Sequence, residues 1–504
     1  MHIIIILRSF LLIIILYANI VCGGIDMVGR KKETTELLEL YDRDNAELVA
    51  IYGRRRVGKT YLVDETFKDR ITFRHAGLSP IEEDEQYNGQ PLKKQLQAFY
   101  YSLMAQGMKK DHCPKDWLEA FFMLEMHLQS IDDGSRQLIF LDELPWMDTP
   151  KSGFITGFEA FWNSWACHRN VMVIISGSAN SWMENKLINN HGGLYGRVTH
   201  EIKLSPFSLK ECELLLEEKG LAFSRYDIVQ SYMIFGGIPF YMNYFKRGKS
   251  LAQNVDELFF SKGAKLALEY DRLFSSVFSN PDMTKEIVKI LSKRSKGYTR
   301  QEIISKSGCS DGGSLTKSLT ALIASDFVIK YIPFGYSKRE VHYKLVDPFC
   351  IFYLKFVHNK NSMTDGFWHQ NIDSQSIVSW RGYAFENVCF NHIPEIKKAL
   401  GISGISSTES AWTKASDDES GTQIDMLILR KDNVVNMCEM KFYSDDFAVD
   451  KDYDKLLRNR QAVLYENLPK KSIIHNTLVT TYGIKDNEYK WSFDNVITME
   501  ELFD

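Results

Sequence analysis

A loop rich in glycine and arginine, set between an apolar stretch and a helical one, limits the folds open to this chain more than any other segment. The loop reads Gly53-Arg54-Arg55-Arg56-Val57-Gly58-Lys59-Thr60 and fits the pattern G-x-x-x-x-G-K-[ST]. Residues 46–52 before it are apolar and β-prone, and residues 61–67 after it have a helical pattern. The alternative is a chance glycine turn, but strand, loop and helix follow in register. We therefore predict that this loop binds the phosphates of a nucleotide.

The residues of the loop have separate chemical tasks. Its glycines let successive backbone N–H groups converge on phosphate oxygens at the positive end of the following helix. Lys59 can reach the β- and γ-phosphates, and the Thr60 hydroxyl can ligate Mg²⁺. We predict ATP and Mg²⁺ as cofactors. The predicted nucleotide contacts are Gly53, Arg54, Arg55, Arg56, Val57, Gly58, Lys59, Thr60 and Tyr61.

A second motif combines an apolar run with two acids. Residues 137–141 are mostly apolar and lead directly into Asp142 and Glu143. This pattern is typical of a buried parallel strand that delivers acids to the carboxyl edge of a sheet. Asp142 is predicted to hold Mg²⁺ through its water shell, and Glu143 to polarise the water that attacks the γ-phosphate. The alternative is a strand that ends in a solvated turn, but the position downstream of the loop favours catalysis.

Two further segments contain candidate catalytic groups. Residues 171–175 are apolar and precede Ser176-Gly177-Ser178. Either serine could hydrogen-bond the attacking water or the γ-phosphate, and Ser178 is our candidate; a serine-rich turn without a role is the alternative. Arg197 could stabilise phosphate charge in cis, or in trans from a neighbouring subunit of a homo-oligomer. A surface arginine explains the same residue equally well.

The order of these motifs resembles the AAA-type branch of P-loop ATPases. It more narrowly resembles a prokaryotic family of such ATPases. The shared segments are Val28-Gly29-Arg30, Tyr52–Thr60, Leu141-Asp142-Glu143-Leu144-Pro145-Trp146 and Gly236-Gly237-Ile238-Pro239. The resemblance implies an ATPase core at residues 27–205 and a helical lid at residues 206–280. It also implies that Val28, Gly29, Arg30 and Pro239 contact the adenine base.

Residues 281–358 have the pattern of a winged helix-turn-helix domain. Three helical stretches precede two alternating, strand-like ones around a turn at Gly335. Residues 284–345 contain twelve Lys or Arg against five Asp or Glu. The third helix would place Ser314 and Lys317 toward a DNA major groove. Since such domains can also serve only to pack between their neighbours, DNA contact remains one of two interpretations.

The C-terminal segment, residues 370–504, contains a second acidic pattern. Asp425 begins an apolar strand, and Glu439-Met440-Lys441 lies on the partner strand after a turn at Asn433. Asp425 and Glu439 are predicted to hold Mg²⁺, with Glu386 as a further ligand from a preceding helix. Lys441 lies on the same face as Glu439 and would act on a metal-bound water or on the transition state.

This second pattern resembles the PD-(D/E)XK, or restriction-endonuclease-like, fold, which often ends ATPases of the family named above. Gln423-Ile424 stand where the motif has proline. The resemblance implies a Mg²⁺-dependent nuclease whose catalytic residues are Glu386, Asp425, Glu439 and Lys441. Two alternatives remain open: an exposed charged hairpin, and a catalytically silent module that binds protein or DNA.

Residues 1–26 are mostly apolar and resemble a secretory signal or a short membrane anchor. We favour a third interpretation, in which translation starts at Met27 and the protein has no stable membrane association. An anchored form and a cleaved signal remain open.

Composition sets the remaining bounds. A length of 504 residues suggests three or so domains at about 150 residues each. The net charge of −4 restricts any nucleic-acid contact to a local patch. Eight cysteines, scattered singly, argue against zinc and disulfides and fit a reducing compartment. We therefore predict a cytoplasmic α/β protein with a P-loop core and helical lid, a winged helix-turn-helix and a restriction-endonuclease-like α/β domain, acting on DNA.

Overall fold

The computed structural model describes residues 27–79, 91–188, 192–337, 340–358, 365–414 and 422–504. The predicted leader, residues 1–26, lies outside these ranges. No helix within them combines the length and the apolar composition needed to cross a bilayer. The described chain forms two compact units. Unit 1 contains residues 27–52, Gly58–Gly177 and Asn185–Lys203, and unit 2 contains Gly53–Val57, Ser178–Glu184 and Leu204–Asp504.

Unit 1 is built on a five-stranded parallel sheet with the order β2-β3-β4-β1-β5. The strands are β1 Glu47–Tyr52, β2 Ile71–Ala76, β3 Gln137–Asp142, β4 Val171–Gly177 and β5 His200–Lys203. Strands β3 and β4 are buried along their whole length, as expected for central strands of a parallel sheet. The predicted α/β fold with a parallel sheet is confirmed.

The helices of unit 1 bury large aromatic side chains. They are α1 Lys31–Tyr41, α2 Lys59–Phe67, α3 Pro91–Ala105, α4 Trp117–Ser130, α5 Leu144–Met147 and α6 Phe154–Ser164. The ring of Trp117 lies 5.5 Å from that of Phe99 and 4.9 Å from that of Phe154. Asp116 caps α4 by accepting a hydrogen bond from the Glu119 N–H. These contacts join α3, α4 and α6 through one aromatic cluster.

Unit 2 begins with a set of helices that includes the predicted lid. They are α7 Asn180–Met183, α8 Leu209–Glu218, α9 Arg225–Phe235, α10 Pro239–Met242, α11 Leu251–Val255 and α12 Glu269–Val277. Ser208 and Ser224 form capping boxes that start α8 and α9. Gly236 ends α9 in the left-handed conformation, and Pro239 begins α10 at its first position. The Gly-Gly-Ile-Pro segment is therefore a helix boundary.

Residues 281–345 form what we call the three-helix module. Its elements are α13 Pro281–Leu291, β6 Tyr298–Thr299, α14 Arg300–Ser307, α15 Gly313–Ala324, β7 Val328–Tyr331 and β8 His342–Leu345. The strands form an antiparallel sheet with the order β6-β8-β7. The three predicted helices and the two predicted strands are thus present. Ser314 and Lys317 lie on the exposed face of α15, as predicted.

The C-terminal part of unit 2 combines helices with a mixed sheet. Its helices are α16 Pro348–Phe352, α17 Phe367–Asn371, α18 Gln375–Asn391, α19 Ile393–Ala399 and α20 Lys451–Tyr465. Its strands are β9 Ser407–Lys414, β10 Thr422–Arg430, β11 Val434–Lys441, β12 Ile473–Thr480 and β13 Asn495–Ile497, in the order β13-β12-β11-β10-β9. Strands β9, β10 and β11 are antiparallel, whereas β11, β12 and β13 are parallel. Asn433, with a φ of 66°, makes the predicted turn between β10 and β11.

Short irregular helices complete the described chain. The 3-10 helices are Lys68–Arg70, Ala166–His168, Lys490–Ser492 and Met499–Phe503, and the π-helical turns are Glu184–Ile188, Asp256–Phe260 and Tyr353–Val357. The turn at Tyr353–Val357 continues α16 directly.

The two units divide the chain differently from the predicted domains. Residues 53–57 and 178–184 group with unit 2, although they interrupt the predicted ATPase core at residues 27–205. The reason lies in their contacts within unit 2. The Gly53 N–H donates to Asn180 Oδ1 at 2.9 Å, and the Asn180 side chain donates to the carbonyl of Ala324 at 2.8 Å.

Candidate functional site

The acidic end of β3 meets the helix that follows the phosphate loop. The Thr60 hydroxyl donates to Asp142 Oδ2 at 2.8 Å, and the buried Ser176 hydroxyl donates to the other oxygen, Oδ1. Because β3 and β4 are parallel neighbours, Asp142 and Ser176 emerge at the same edge of the sheet. A hydroxyl beside a carboxylate supplies the oxygen ligands that Mg²⁺ prefers. Thr60 and Asp142 therefore fit the predicted metal site.

Glu143 lies next to this pair in a constrained backbone conformation. Its φ is 47°, in the left-handed region, which costs about 1–2 kcal/mol for a residue other than glycine. Its N–H donates to Asp142 Oδ1 at 3.1 Å and to Ser176 Oγ at 3.2 Å. Such strain persists only where the surroundings hold the residue in place. The backbone of the predicted general base is thus fixed relative to Asp142.

The start of α2 supplies positive charge within the same unit. Gly58 precedes the helix with a φ of 96°, and its carbonyl accepts the first helical hydrogen bond from the Leu62 N–H at 2.8 Å. Lys59 is the first residue of α2 and is buried. A helix N-terminus and an ammonium group together favour a bound phosphate.

Gly53, at the other end of the loop, has no room for a side chain. Its φ is 150°, and a Cβ atom built on it would lie 2.2 Å from the Leu204 carbonyl oxygen. Only glycine fits there. The first glycine of the motif is therefore required by close backbone packing within unit 2.

The arginines of the loop are held by carboxylates of unit 2. The Arg54 guanidinium donates to the Asp347 carboxylate, and both side chains are at most 2% exposed. Arg56 pairs with Glu269 at 2.5 Å and lies over the ring of Phe240. Although burial opposes a charged Arg54, the Asp347 carboxylate raises the pKa of this guanidinium above its ordinary value. The side chains of Arg54 and Arg56 thus form ion pairs, because a buried guanidinium needs a counter-charge. Their contact with the nucleotide stays a prediction.

The other predicted ATPase residues lie in both units. Ser176 hydrogen-bonds Asp142, whereas the candidate Ser178 is buried and groups with unit 2. The contact of Ser178 with the attacking water or the γ-phosphate stays a prediction. Arg197 lies in an exposed turn of unit 1. Tyr61 is exposed on α2, Val57 is buried, and Arg55 is partly buried.

The predicted adenine contacts are also divided between the units. Val28, Gly29 and Arg30 precede α1 in unit 1, whereas Pro239 begins α10 in unit 2. Gly29 and Arg30 both have positive φ values, and Arg30 is buried with its guanidinium 3.6 Å from the Glu33 carboxylate. The contact of these residues with adenine stays a prediction.

A second group of titratable side chains lies in the C-terminal part of unit 2. We call Glu386, Asp425 and Glu439 the carboxylate cluster. Lys441 Nζ lies 3.3 Å from Glu439 Oε2 and 3.7 Å from Asp425 Oδ2. The Met440 N–H donates to Asp425 Oδ2 at 3.0 Å. The β10–β11 hairpin thus brings the predicted Asp, Glu and Lys together.

Two residues of α20 complete the surroundings of Glu439. The fully buried Glu439 carboxylate accepts a hydrogen bond from the Tyr453 hydroxyl at 2.8 Å and from Arg460 at 2.5 Å. The sequence analysis missed both residues. The sequence of Lys451–Tyr465 is that of a charged amphipathic helix, and its pattern does not distinguish Arg460 from an arginine on the exposed face. A search for a cation on the helix that follows the E-x-K strand could have found it.

Burial and mutual repulsion shift the acids of the carboxylate cluster. Burial raises the pKa of Glu386 to about 7, and the negative charge of Asp425 is the second largest cause. Burial and the Glu439 charge raise the pKa of Asp425. Burial alone would lower the pKa of Lys441, but the Asp425 and Glu439 carboxylates raise it. Added positive charge would relieve this repulsion.

The cluster fits a divalent ion held by few protein ligands. No three His, Cys, Asp or Glu side chains of the described ranges are grouped so that they could hold a metal. Glu386 is therefore not gathered with Asp425 and Glu439 as a third ligand. Mg²⁺ is nevertheless often held by one or two carboxylates and several waters. Asp425 and Glu439 would hold it, and it would supply an acidic, activated water.

The raised pKa of Glu386 predicts a pH-dependent stability. The pKa of Glu386 is about 7 in the folded protein, against an ordinary value of 4.5. Its contribution to the free energy of unfolding is therefore fully present below pH 4.5. About 2–3 kcal/mol of this contribution is lost as the pH rises toward 7. Urea denaturation without divalent ions should show the free energy of unfolding falling over this range. Glu386→Gln should flatten the fall, and an unchanged slope would contradict the assignment.

Comparisons with known proteins find similarity in the part of the chain that contains the first site. Residues 27–245 match the model of a family described as an ATPase domain predominantly from Archaea. The chain is also similar to the uncharacterized protein MJECL04 of Methanocaldococcus jannaschii. The two are 25% identical over 374 residues, which cover 74% of this chain and 78% of the relative.

Several solved structures are similar to about two thirds of the chain. The Walker-type ATPase PABY2304 of Pyrococcus abyssi is 16% identical, with 65% of this chain and 96% of that chain covered and a TM-score of 0.45. The ORC2 protein of Aeropyrum pernix in its ADPNP–ADP complexes is 13% identical, with 65% and 93% covered and a TM-score of 0.39. Residues 27–245 of this chain are therefore similar to an ATPase domain predominantly from Archaea.

Proposed function

We propose that this protein is an ATP-hydrolysing switch whose nucleotide state controls a winged-helix domain and a nuclease-like domain acting on DNA. The observation that carries the ATPase part is the hydrogen-bonded group Thr60, Asp142 and Ser176, with Glu143 fixed beside it. In this proposal Lys59 and the backbone of the loop bind the phosphates, and Thr60 and Asp142 hold Mg²⁺. Glu143 then orients the attacking water and accepts its proton.

The ion pairs of the loop arginines support the control of unit 2 by the nucleotide. Arg54 pairs with Asp347, which also accepts a hydrogen bond from the Cys350 N–H at 2.7 Å and so caps α16. Asp347 follows β8 of the three-helix module by two residues. A phosphate that repositions residues 53–57 would therefore act on the junction between the three-helix module and α16. Coupling of this kind needs an element with two arrangements, and the loop is our candidate for it.

The carboxylate cluster supports the nuclease part of the proposal. On a β-hairpin, the Lys441 ammonium lies within 4 Å of both the Asp425 and the Glu439 carboxylates, and Glu386 lies on the helix before the sheet. Two acids and a lysine can bind a cation and act on a metal-bound water. The exposed Ser314 and Lys317 on α15, with the basic composition of the three-helix module, support contact with DNA.

Breaking the Arg54–Asp347 pair should destabilise the protein strongly. Asp347→Ala leaves a buried guanidinium without its counter-charge, which costs about 3–5 kcal/mol. Urea denaturation should show this loss in the free energy of unfolding. Lys32→Ala is the control, because the Lys32–Glu36 pair is exposed and should contribute less than about 1 kcal/mol. Arg54→Met combined with Asp347→Leu should recover part of the loss, and equal losses in Asp347→Ala and Lys32→Ala would contradict a structural role.

One observation favours a second function. Both oxygens of Glu439 already have cationic or hydroxyl partners, Arg460 and Tyr453. A carboxylate held in this way can be a structural element rather than a metal ligand. The second candidate is therefore a regulatory ATPase scaffold whose C-terminal domain binds protein or DNA without cleaving it.

A cleavage assay separates the two functions. The purified full-length chain would be incubated with single-stranded DNA, double-stranded DNA and RNA, each with and without ATP and Mg²⁺. The switch proposal expects Mg²⁺-dependent cleavage that changes with ATP, together with ATP hydrolysis in the same samples. ATP hydrolysis without cleavage of any substrate would leave the scaffold function.

A further inference from the structure

Unit 2 contains a cavity of about 360 Å³ that no part of the ATPase site uses. It lies where the end of α13 and strand β8 of the three-helix module face α18. Its lining includes Lys293, Lys344, Lys355, Tyr383 and Glu386. Since Glu386 also belongs to the carboxylate cluster, the cavity adjoins that cluster.

Two buried polar groups among the lining residues lack hydrogen-bond partners. Lys344 is 6% exposed, Trp380 is 3% exposed and Asn387 is 7% exposed. The indole N–H of Trp380 and the amide oxygen of Asn387 have no hydrogen-bond partner. The Lys344 ammonium lies 4.8 Å from the centre of the Phe390 ring, and the nearby charges are those of Glu386 and Asp425. Each unsatisfied buried group costs about 1–3 kcal/mol, so the cavity is built for a polar ligand that both donates and accepts hydrogen bonds.

The charges of the cavity select an anion. The lining contains Lys293, Lys344 and Lys355 but a single carboxyl group, Glu386, while Arg294 pairs with Glu302 at 2.8 Å. This excess of positive charge favours a phosphate. The ligand therefore has an anionic group near Lys344.

The size of the cavity and one aromatic side chain set a second requirement for the ligand. Tyr383 is 53% exposed and offers a ring face on which a planar group can stack. A volume near 360 Å³ is at the lower end of the range for small-molecule sites. A planar base joined to a phosphate, one nucleotide in size, meets both requirements.

We propose that this cavity binds one nucleotide, with its phosphate at Lys344 and its base against Tyr383. The ligand is either the terminal nucleotide of a single strand or a free nucleotide. This inference adds a substrate site to the proposed nuclease function. It rests on that function in one respect, because it takes the neighbouring carboxylate cluster as the site of cleavage. It also gives the three-helix module a role besides contact with a DNA groove, because Lys344 on β8 lines the cavity.

Binding can be measured without cleavage. The full-length chain, carrying Lys59→Ala in every sample to remove binding at the phosphate loop, would be titrated in EDTA at one fixed salt concentration. The probes are a 5′-phosphorylated pentathymidylate with a 3′ fluorescent label, thymidine 5′-monophosphate as a competitor, and inorganic phosphate as a competitor. Lys344→Gln should weaken pentathymidylate or mononucleotide binding at least about tenfold, because it removes a charge-assisted hydrogen bond. Tyr383→Ala should weaken it about fivefold or more.

Lys330→Gln is the matched control. Lys330 lies on β7 of the same sheet, is exposed and does not line the cavity, so its replacement should change affinity less than about twofold. Photocrosslinking of a 5-bromouracil strand, followed by mass spectrometry, should label Tyr383 or Trp380. This second measurement decides the question if Lys344→Gln does not fold.

Each outcome has a defined meaning. Displacement by the mononucleotide at the same concentration as by the unlabelled strand identifies a free nucleotide, and displacement by the strand alone identifies a strand end; both support the inference. Unchanged affinity in Lys344→Gln, equal loss in Lys330→Gln, or displacement by inorganic phosphate as effective as by the mononucleotide overturns it. Lys344-dependent binding in a protein that cleaves nothing refutes only the nuclease function. Cleavage with unchanged binding in Lys344→Gln refutes only this inference.

Discussion

Replacing Glu143 with glutamine should lower ATP turnover by about 10²–10⁴-fold while the protein still binds ATP. Glutamine keeps the shape of the side chain but cannot accept the proton of the attacking water. The hydrogen bonds of Thr60 and Ser176 to Asp142 do not involve the Glu143 side chain, so the predicted Mg²⁺ ligands remain in place. Phosphate release and the binding of a fluorescent ATP analogue would measure the two properties separately.

Two further variants serve as controls for this prediction. Lys59→Ala should abolish ATP binding itself, because it removes the buried ammonium group at the start of α2. Glu125→Gln, on α4 of the same unit, should leave both turnover and binding unchanged. A Glu143→Gln protein that hydrolyses ATP at the wild-type rate would show that another group activates the water.

Asp425→Ala should remove both the response of the C-terminal site to divalent ions and any cleavage of nucleic acid. In the full-length, nucleotide-free chain, Mg²⁺ or Mn²⁺ at about 100 times its Kd should stabilise the native protein by about 2.7 kcal/mol. Burial, and after it repulsion between carboxylates, raises the pKa of Asp425 and of Glu386, and a bound cation relieves that repulsion. Thermal denaturation with and without each cation would measure the stabilisation.

Lys441→Ala separates metal binding from catalysis. Lys441 contacts both Asp425 and Glu439 but is not itself a ligand, so the thermal response should persist while cleavage falls by about 10²-fold or more. Asp432→Asn, in the exposed turn of the same hairpin, is the control and should change neither property. A wild-type chain that shows no thermal response and cuts nothing would leave the scaffold function.

The sequence by itself determined those parts of the ATPase site that depend only on neighbouring residues in the chain. The loop before α2 and the acids at the end of β3 follow from one strand–loop–helix pattern and from one apolar run that ends in carboxylates. Both Thr60 and Asp142 were predicted to hold Mg²⁺, and in the structure they lie in hydrogen-bond contact. The choice between Ser176 and Ser178 could not be made in this way. Both lie at the end of the same apolar run, and only the packing of β4 beside β3 brings Ser176 to Asp142.

Only the tertiary structure decided which groups pair over long distances in the chain. The sequence placed Arg54 in the phosphate loop but did not show its pairing with Asp347, 293 residues away. Arg460 and Lys344 belong to no motif, yet Arg460 holds Glu439 and Lys344 lines a cavity beside Glu386. A local pattern contains no information on such pairs, since a buried charge takes whichever counter-charge the packing brings to it. Periodicity and motif spacing describe single elements, whereas the partners of buried charges depend on how those elements pack.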